Sequence, residues 1–167
     1  TRVDKLMVDV GYFALLLGFL AAGYAAVTSV LGARARNPQL IASGEHGVLA
    51  VFGMLTLSAG VLVYNLVTGN FQMEYVASYT SSTLPVFYRV TAMWAGQKGS
   101  LMLWGWTLAF FAVLILLTNR RQNRVLIPYV TTVMMCVTMF FIALNVFFAN
   151  PFEMLPFVPV EGQGLNP

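Results

Sequence analysis

The chain has one histidine, His46, and one cysteine, Cys136, which are residue types that commonly ligate haem iron or zinc. A bis-histidine haem site needs a second histidine, and a lone cysteine cannot form a disulfide within the chain. We therefore expect no metal site. His46 is predicted to serve at the start of a helix or at the membrane interface, with haem ligation as the alternative, and Cys136 to be a small buried hydrophobe.

No other pattern in the sequence is typical of catalysis. The chain contains no recognisable nucleophile–base pair and no glycine-rich phosphate-binding loop. We predict no catalytic residue within this chain.

Aromatic residues and one arginine between positions 70 and 104 form a candidate interaction surface. Six aromatics lie between positions 70 and 98, and two tryptophans follow at 104 and 106. One interpretation is an aromatic belt at the level of the lipid headgroups. The other is a platform for a flat apolar ligand such as haem, or for a partner protein. The residues assigned to this surface are Tyr79, Leu84, Pro85, Tyr88, Arg89, Trp94, Gly99, Ser100 and Trp104.

Arg89 is the one cation in the middle of an otherwise apolar stretch. A desolvated guanidinium needs partners, because leaving it unpaired costs several kcal/mol. We expect structural pairing, either with an acid, of which Glu74 is the closest in this part of the chain, or with backbone carbonyls. Recognition of a haem propionate or of a partner protein is the alternative.

The elements that position these residues are membrane helices. Hydrophobic residues make up 59% of the 167 residues and charged residues 9%, whereas a soluble domain carries about 25% charged residues. A bilayer-spanning helix needs about 20 mostly apolar residues. Four stretches without a charged residue or histidine satisfy this requirement, at residues 10–33, 47–69, 99–118 and 125–149. We predict an all-α membrane protein with four transmembrane helices in a single segment, 1–167.

The placement of the charged residues argues against two classes of function, nucleic-acid binding and ion-coupled transport. The net charge of +3 comes from basic residues at the ends of spans, which favours topological anchoring over nucleic-acid binding. Transporters and pumps usually carry ionisable groups inside their spans, and the four stretches have none. Asn65 and Asn145 are the most polar residues there, and we expect hydrogen bonds between helices to satisfy them.

Lysine and arginine counts in the connections predict the orientation of the spans. The first connection carries two arginines, and the third, at residues 119–124, carries three. The longer second connection, 70–98, holds two basic residues, and the C-terminal tail holds none. The first and third connections are therefore predicted to be cytoplasmic. The N-terminus, the second connection and the tail are predicted to lie outside.

The second connection has an order of its own. Residues 71–77 alternate in a way typical of an extended segment, and 78–83 form a polar turn region. From Val86 the pattern becomes helical, with Phe87, Val90, Met93 and Trp94 on one face. This predicts an external amphipathic helix between spans two and three, leading into the third span. Residues 97–100 are predicted to form a flexible polar joint.

Three runs of the sequence resemble a known family. They are NFQMEYVASY at 70–79, LPVFYRVTAMWAGQKGSLMLW at 84–104 and NPFEMLPFVPVEGQGLNP at 150–167. Together they are similar to the N-terminal third of CcmF-type cytochrome c-type biogenesis proteins, which are haem lyase subunits, and to the related NrfE-type lyases. The likeness extends from about the second span to the end of the chain. In that family the pattern continues into a His-Pro-Pro segment, a tryptophan-rich motif and histidine haem ligands.

The resemblance implies a role in cytochrome c maturation. The whole lyase takes haem from a carrier protein outside the membrane and promotes thioether attachment to the two thiols of an apocytochrome C-x-x-C-H motif. This chain would supply scaffold helices and external surface, with haem held by the complete protein and none by this chain alone. Gln97-Lys98 stands where bacterial members have His-Glu, which removes one external histidine.

The resemblance also implies partners and a location. The partners would be the remainder of the lyase in the same or a separate chain, the haem carrier, apocytochrome c with its thiol-handling partners, and membrane lipid, with no nucleic acid. The location would be the bacterial inner membrane, or the mitochondrial inner membrane if the gene is split as in plants. The alternative functions are a non-catalytic membrane assembly subunit and a transporter fragment unrelated to haem.

Overall fold

The protein is a bundle of four long helices with two short helices at one end, in a computed structural model that describes residues 2–119 and 122–165. Two of the three arginines of the third connection, and the last two residues of the third run, lie outside these ranges. The helices are, in chain order, α1 (Arg2–Ala35), α2 (Pro38–Thr68), α3 (Glu74–Tyr79), α4 (Val86–Thr91), α5 (Gln97–Asn119) and α6 (Ile127–Phe147). A 3-10 turn at Ala92–Trp94 separates α4 from α5.

The four long helices are each long and apolar enough to cross a membrane. The predicted all-α membrane fold with four spans is therefore confirmed. Helices α1 and α2 begin earlier than the predicted spans, because charged and polar residues at a membrane surface can continue a helix beyond its uncharged part. As a result, His46 is exposed on the side of α2 rather than placed at the start of the helix.

Helices α1 and α2 approach closely because small residues face each other across their contact. A Cβ atom added to Gly47 would lie 2.8 Å from the Cβ of Ala25. Further along, the Ser58 hydroxyl donates a hydrogen bond of 2.9 Å to the Gly11 carbonyl. Small residues permit this kind of backbone approach in membrane bundles.

The bundle closes as a ring in which α1 packs on α2 and α6, and α5 packs on the same two helices. The Trp106 indole donates a 3.0 Å hydrogen bond from α5 to the Thr56 hydroxyl of α2. The Asn145 side-chain nitrogen on α6 donates to the Lys98 carbonyl of α5 at 2.7 Å, so the predicted bond between helices is present, while the buried side-chain oxygen has no partner among the described residues.

Two polar residues inside the spans differ from expectation. Asn65 donates to the Val61 carbonyl of its own helix, at 2.8 Å, and accepts a hydrogen bond from Asn70, so it caps the end of α2 rather than joining two helices. Cys136 is exposed on the outward face of α6 rather than buried. The hydropathy of a span does not distinguish its lipid-facing side from its packed side, which explains the second error.

The antiparallel helices give the bundle two different ends. The platform end contains α3, α4, the tail at 149–165, and the nearby ends of the four long helices. The turn end contains the α1–α2 turn and the α5–α6 connection. Asp4 of α1 lies beside Phe71 and Val158 around a small cavity, so the start of α1 shares the platform end with the second connection and the tail.

Two expectations for the second connection are wrong. Residues 74–79 are helical rather than extended, because Tyr75, Val76 and Ala77 bury consecutive side chains, and helical backbone bonds satisfy this segment internally. Residues 97–100 form the first turn of α5 rather than a flexible joint. The helix predicted to begin at Val86 is present as α4, which ends at Thr91, and the 3-10 turn leads from it to the start of α5.

Candidate functional site

The platform end is built by two segments that are distant in sequence and run side by side. Met73 and Met154 form an antiparallel bridge, in which the Glu74 amide donates to the Glu153 carbonyl at 3.0 Å and the Leu155 amide to the Gln72 carbonyl at 2.8 Å. Later in the tail, the amide of Gln163 donates to the Ala77 carbonyl at 2.7 Å, and that of Gly164 to Thr80 at 3.0 Å. The tail is therefore fixed along α3.

Tyr75 is the buried centre of the platform. Its hydroxyl lies 2.9 Å from the Ala92 carbonyl oxygen and 3.0 Å from that of Met93, and it accepts a 3.2 Å hydrogen bond from the Gly96 amide. Burial raises the pKa of Tyr75 to about 12, so the hydroxyl stays protonated and can donate. This one side chain ties α3 to the polypeptide that enters α5.

Two glycines make room for the tyrosine pair Tyr75 and Tyr79, whose rings lie 4.8 Å apart. A Cβ atom on Gly99 would overlap both the Met93 carbonyl oxygen and the Tyr75 hydroxyl. A Cβ atom on Gly96 would overlap the Tyr79 ring. Glycine is required at both positions because α5 begins in direct contact with these rings.

A three-way ion pair joins α5, α3 and the tail. The Lys98 ammonium contacts the Glu74 carboxylate and lies 2.9 Å from Glu153 Oε2. The hydrogen bond and charge of Lys98 lower the pKa of Glu153 below its usual value. Lys98 therefore fixes the start of α5, rather than leaving a flexible joint as the sequence suggested.

Arg89 anchors the other side of the platform through backbone carbonyls. Its Nε atom donates to Leu84 at 2.8 Å, and its two terminal nitrogens donate to Val67 at 3.0 Å and Ser82 at 2.6 Å. Of the two structural partners considered, the structure has the carbonyls, while Glu74 pairs with Lys98. The arginine thus fixes the start of α4 to the end of α2.

Glu161 of the tail completes this anchor through Ser82. Its carboxylate accepts a 2.7 Å hydrogen bond from the Ser82 amide and a second one from the Ser82 hydroxyl. These bonds to Ser82, with a smaller contribution from the positive charge of Arg89, lower the pKa of Glu161. Ser82 therefore accepts a hydrogen bond from the Arg89 guanidinium through its carbonyl and donates to the Glu161 carboxylate through its amide and hydroxyl.

Above these anchors lies an exposed apolar patch, which comprises Val86, Phe87, Tyr88, Val90 and Trp94. The Phe87 side chain is 71% exposed and that of Trp94 is 55% exposed. The rings of Phe87 and Tyr88 meet edge to face at 5.6 Å. Within the described residues, the apolar face of α4 has little to pack against, although its backbone is held firmly.

The nine residues of the predicted surface fall into three groups. Pro85, Tyr88 and Trp94 are exposed in or beside the apolar patch. The support beneath it consists of Tyr79, Leu84, Arg89, Gly99 and Ser100, whose hydroxyl donates to the Trp94 carbonyl at 3.0 Å. Trp104 lies apart on the outward face of α5, stacked on Phe141 at 6.0 Å.

Sequence reasoning missed Tyr75 and the Lys98–Glu74–Glu153 group. Nothing local distinguishes Tyr75 from five neighbouring aromatics, and its role depends on the approach of α5. Two glycines three residues apart, Gly96 and Gly99, were the available signal of a close backbone approach.

The one histidine of the chain is too far from the platform to ligate haem iron there. His46, the one histidine of the chain, is 21 residues before Val67 on the same helix, which places it about 30 Å from the platform along the helix axis. No cluster of three or more histidine, cysteine or acidic residues that could hold a metal ion occurs in the described ranges. What the platform offers is an exposed apolar surface.

No family model matches the chain. Individual proteins do. The chain is 31% identical over 160 residues to the cytochrome c-type biogenesis protein NrfE of Haemophilus influenzae, covering 95% of the chain and 25% of the relative. It is 33% identical over 168 residues to CcmF of Escherichia coli K12, with 97% and 25% covered, and 30% identical over 162 residues to CycK of Rhizobium meliloti, with 97% and 24% covered.

A solved structure shares the fold. The cytochrome c haem lyase CcmF superposes with a TM-score of 0.80 at 20% identity, over 89% of this chain and 25% of that protein. The chain spans about a quarter of the length of the curated relatives it matches. The resemblance stated from the sequence runs is confirmed, and it extends over the first helix as well.

Proposed function

From the similarity of this chain to CcmF and NrfE proteins over nearly its whole length, we propose that it is the scaffold and interaction surface of a haem lyase. The lyase would attach haem covalently to apocytochrome c during cytochrome c maturation. The observation that carries the proposal is the similarity to proteins named for cytochrome c biogenesis across 95–97% of the chain. The shared fold supports it.

The apolar patch is the part of the chain that we assign to this function. Its side chains are exposed, while Arg89 holds the backbone beneath them through three carbonyls. A rigid aromatic surface loses little conformational freedom when it is covered, which favours binding. The flat, apolar face of haem and an apolar segment of apocytochrome c both suit such a surface.

Haem enters as a substrate that the patch helps to contact, while its iron ligands would come from other parts of the complete lyase. All three nitrogens of Arg89 already donate to carbonyls that hold the platform together, so a role in holding the haem propionates is not assigned to it. The partners are then the rest of the lyase, the protein that delivers haem, and apocytochrome c with the proteins that handle its thiols.

The proposed location is the bacterial inner membrane, with the platform end outside the cytoplasm and the turn end inside. Haem attachment to secreted cytochromes requires the patch on the outer side. The excess of arginines at the turn end supports the same orientation. In a Cys136→Ser background, Gln122→Cys should be labelled by a membrane-impermeant thiol reagent only after the cells are opened. Labelling of intact cells would reverse the proposed orientation.

The functional assignment is tested by removing the patch without touching its anchors. Phe87→Ser combined with Trp94→Ala should leave the amount of protein in the membrane normal. It should also lower covalently bound haem on c-type cytochromes about tenfold or more, as loss of two central aromatic contacts does at interfaces. Haem staining of membrane proteins separated by electrophoresis measures the effect.

The matched control is Phe111→Ala, which removes an exposed aromatic from the lipid-facing side of α5. It should leave both protein level and haem attachment unchanged. Normal haem attachment in the patch variant would refute the assigned surface. Normal cytochrome c maturation in cells that lack the whole chain would refute the proposed function itself.

A further inference from the structure

The α1–α2 turn has an arginine where the backbone favours glycine. The Asn37 amide donates to the Gly32 carbonyl at 2.9 Å and the Arg36 amide to Ala33 at 3.3 Å, which is the Schellman pattern of helix termination. In that pattern the residue at the position of Arg36 adopts a left-handed conformation, and its φ is +50°. Among the described residues, Arg36 is the one non-glycine residue with positive φ.

Glycine adopts this conformation without a steric penalty, and it is the usual residue there. Arginine adopts the left-handed conformation at a higher conformational energy than glycine, so its side chain is the reason to look for a function at this position. The turn does not depend on that side chain, because its closing bonds come from backbone amides and the Asn37 side chain caps α2 through the amides of Gln39 and Leu40.

The Arg36 side chain lines a cavity of about 560 Å³ at the turn end, together with Arg124 of the α5–α6 connection. The other walls are largely apolar and include Pro38, Ile41, Val125 and Tyr129. No hydrogen bond or ion pair engages either guanidinium within the described part of the chain. Two arginines from separate connections therefore face one open, mostly apolar cavity.

We propose that this cavity binds the headgroup of an anionic phospholipid. The two guanidinium groups would hold the phosphate, for which their planar donors are suited. The apolar walls would contact the glycerol and the first part of the acyl chains. A free phosphate ion would use the arginines but leave these walls uncovered, whereas a phospholipid matches both parts of the lining.

The position in the fold favours a lipid over other anions. The cavity lies where α1, α2 and α6 end, and these helices are long and apolar enough to cross a membrane. Tyr129, at the rim, is of the residue type enriched at the level of the headgroups. Juxtamembrane arginines also attract anionic lipids electrostatically, and this attraction does not require the proposed haem function.

The test uses native mass spectrometry of the complete protein in mild detergent, with phosphatidylglycerol and phosphatidylcholine of matched acyl chains added in equal amounts. We expect one phosphatidylglycerol to remain bound at activation energies that remove phosphatidylcholine. Arg36→Gly, which suits the backbone conformation better than arginine, should lower the retained phosphatidylglycerol about tenfold, as the loss of a direct hydrogen bond to a charged group does. Arg124→Gln should lower it similarly.

The matched control is Arg34→Gln, which removes an exposed arginine of the same turn that does not line the cavity. It should leave retention unchanged. Arg36→Asn, which also tolerates the left-handed conformation, repeats the test if the glycine variant accumulates poorly. Equal retention of the two lipids, full retention in Arg36→Gly, or an equal loss in Arg34→Gln would overturn the proposal. Displacement of the lipid by inorganic phosphate would identify a free-anion site and would overturn it as well.

Discussion

The two ends of the bundle use their charged residues in opposite ways. At the platform end, Lys98 is paired with two carboxylates, and Arg89 is bound to three carbonyl oxygens. At the turn end, Arg36 and Arg124 extend into an open cavity. The same residue type therefore stabilises the fold at one end and is available to a ligand at the other.

The difference shows that the function of the platform cannot be read from its charges. Lys98 and Arg89 have partners within the chain and hold the backbone in place, while the exposed surface they support is aromatic. The closed helical turn at the other end needs no such support, since backbone amides and the Asn37 cap complete it. The comparison predicts that substitutions of platform anchors lower stability, whereas substitutions of turn-end arginines do not.

The largest expected effect comes from Gly99. Gly99→Ala places a methyl group against the Met93 carbonyl and the Tyr75 hydroxyl, so the start of α5 must move away from α3. Overpacking of this kind costs about 1–3 kcal/mol, and the backbone contact places it at the upper end. We expect a clear loss of the protein from membranes and a lower thermal unfolding temperature in detergent.

Gly53→Ala is the control for this substitution, because a Cβ atom there meets nothing within 4 Å. Alanine also favours a helix over glycine, so this variant should be as stable as the wild type or slightly more stable. Equal stability of the two variants would show that α5 does not start in tight contact with Tyr75. Tyr75 would then not be the contact that joins α3 to α5.

The next effect tests the hydroxyl of Tyr75 alone. Tyr75→Phe keeps the ring but leaves the Gly96 amide and two carbonyls without their buried partner, at a cost of about 1–3 kcal/mol. Tyr64→Phe, in which the tyrosine is exposed on α2, should have little effect. Thermal unfolding of both variants in the same detergent measures the difference. Equal unfolding temperatures of Tyr75→Phe and Tyr64→Phe would show that the Tyr75 hydroxyl has no special role.

Sequence patterns predicted the helices but not the platform contacts, for a physical reason. Four uncharged stretches of about 20 residues determine four spans, because this is the length of a helix that crosses the bilayer and satisfies its own backbone in lipid. The Met73–Met154 bridge joins residues 81 positions apart, and neither segment carries a local periodicity that indicates the pairing. Arg89 was expected to be paired, but the choice between Glu74 and carbonyls depended on the position of Lys98.

A smaller effect is expected from Arg89. Arg89→Lys keeps the charge, but an ammonium group cannot reach three carbonyls arranged around a planar guanidinium, so we expect about 1–2 kcal/mol of destabilisation. Arg36→Lys at the turn end provides the contrast and should leave stability unchanged. If Arg89→Lys has normal protein levels and a normal unfolding temperature, the platform-end arginine does not stabilise the fold more than the turn-end arginine does.

The smallest effect is the pH dependence of tail attachment. Lys98 lowers the pKa of Glu153, so the stabilisation from this pair is present above the unfolded-state pKa of about 4.5. It is lost as the pH falls through the lower folded-state pKa, because the carboxylate then takes up a proton. The Glu153 side chain is 62% exposed, so solvent screening limits the effect to less than about 1 kcal/mol.

Protease cleavage within residues 155–160 should therefore become faster below pH 4.5 relative to cleavage at pH 7. Glu153→Gln should show fast cleavage at both pH values, and Glu45→Gln, on α2 away from the tail, should behave as the wild type. A Glu153→Gln variant that retains the full pH response would assign that response to another group, with Glu161 at Ser82 as the next to replace.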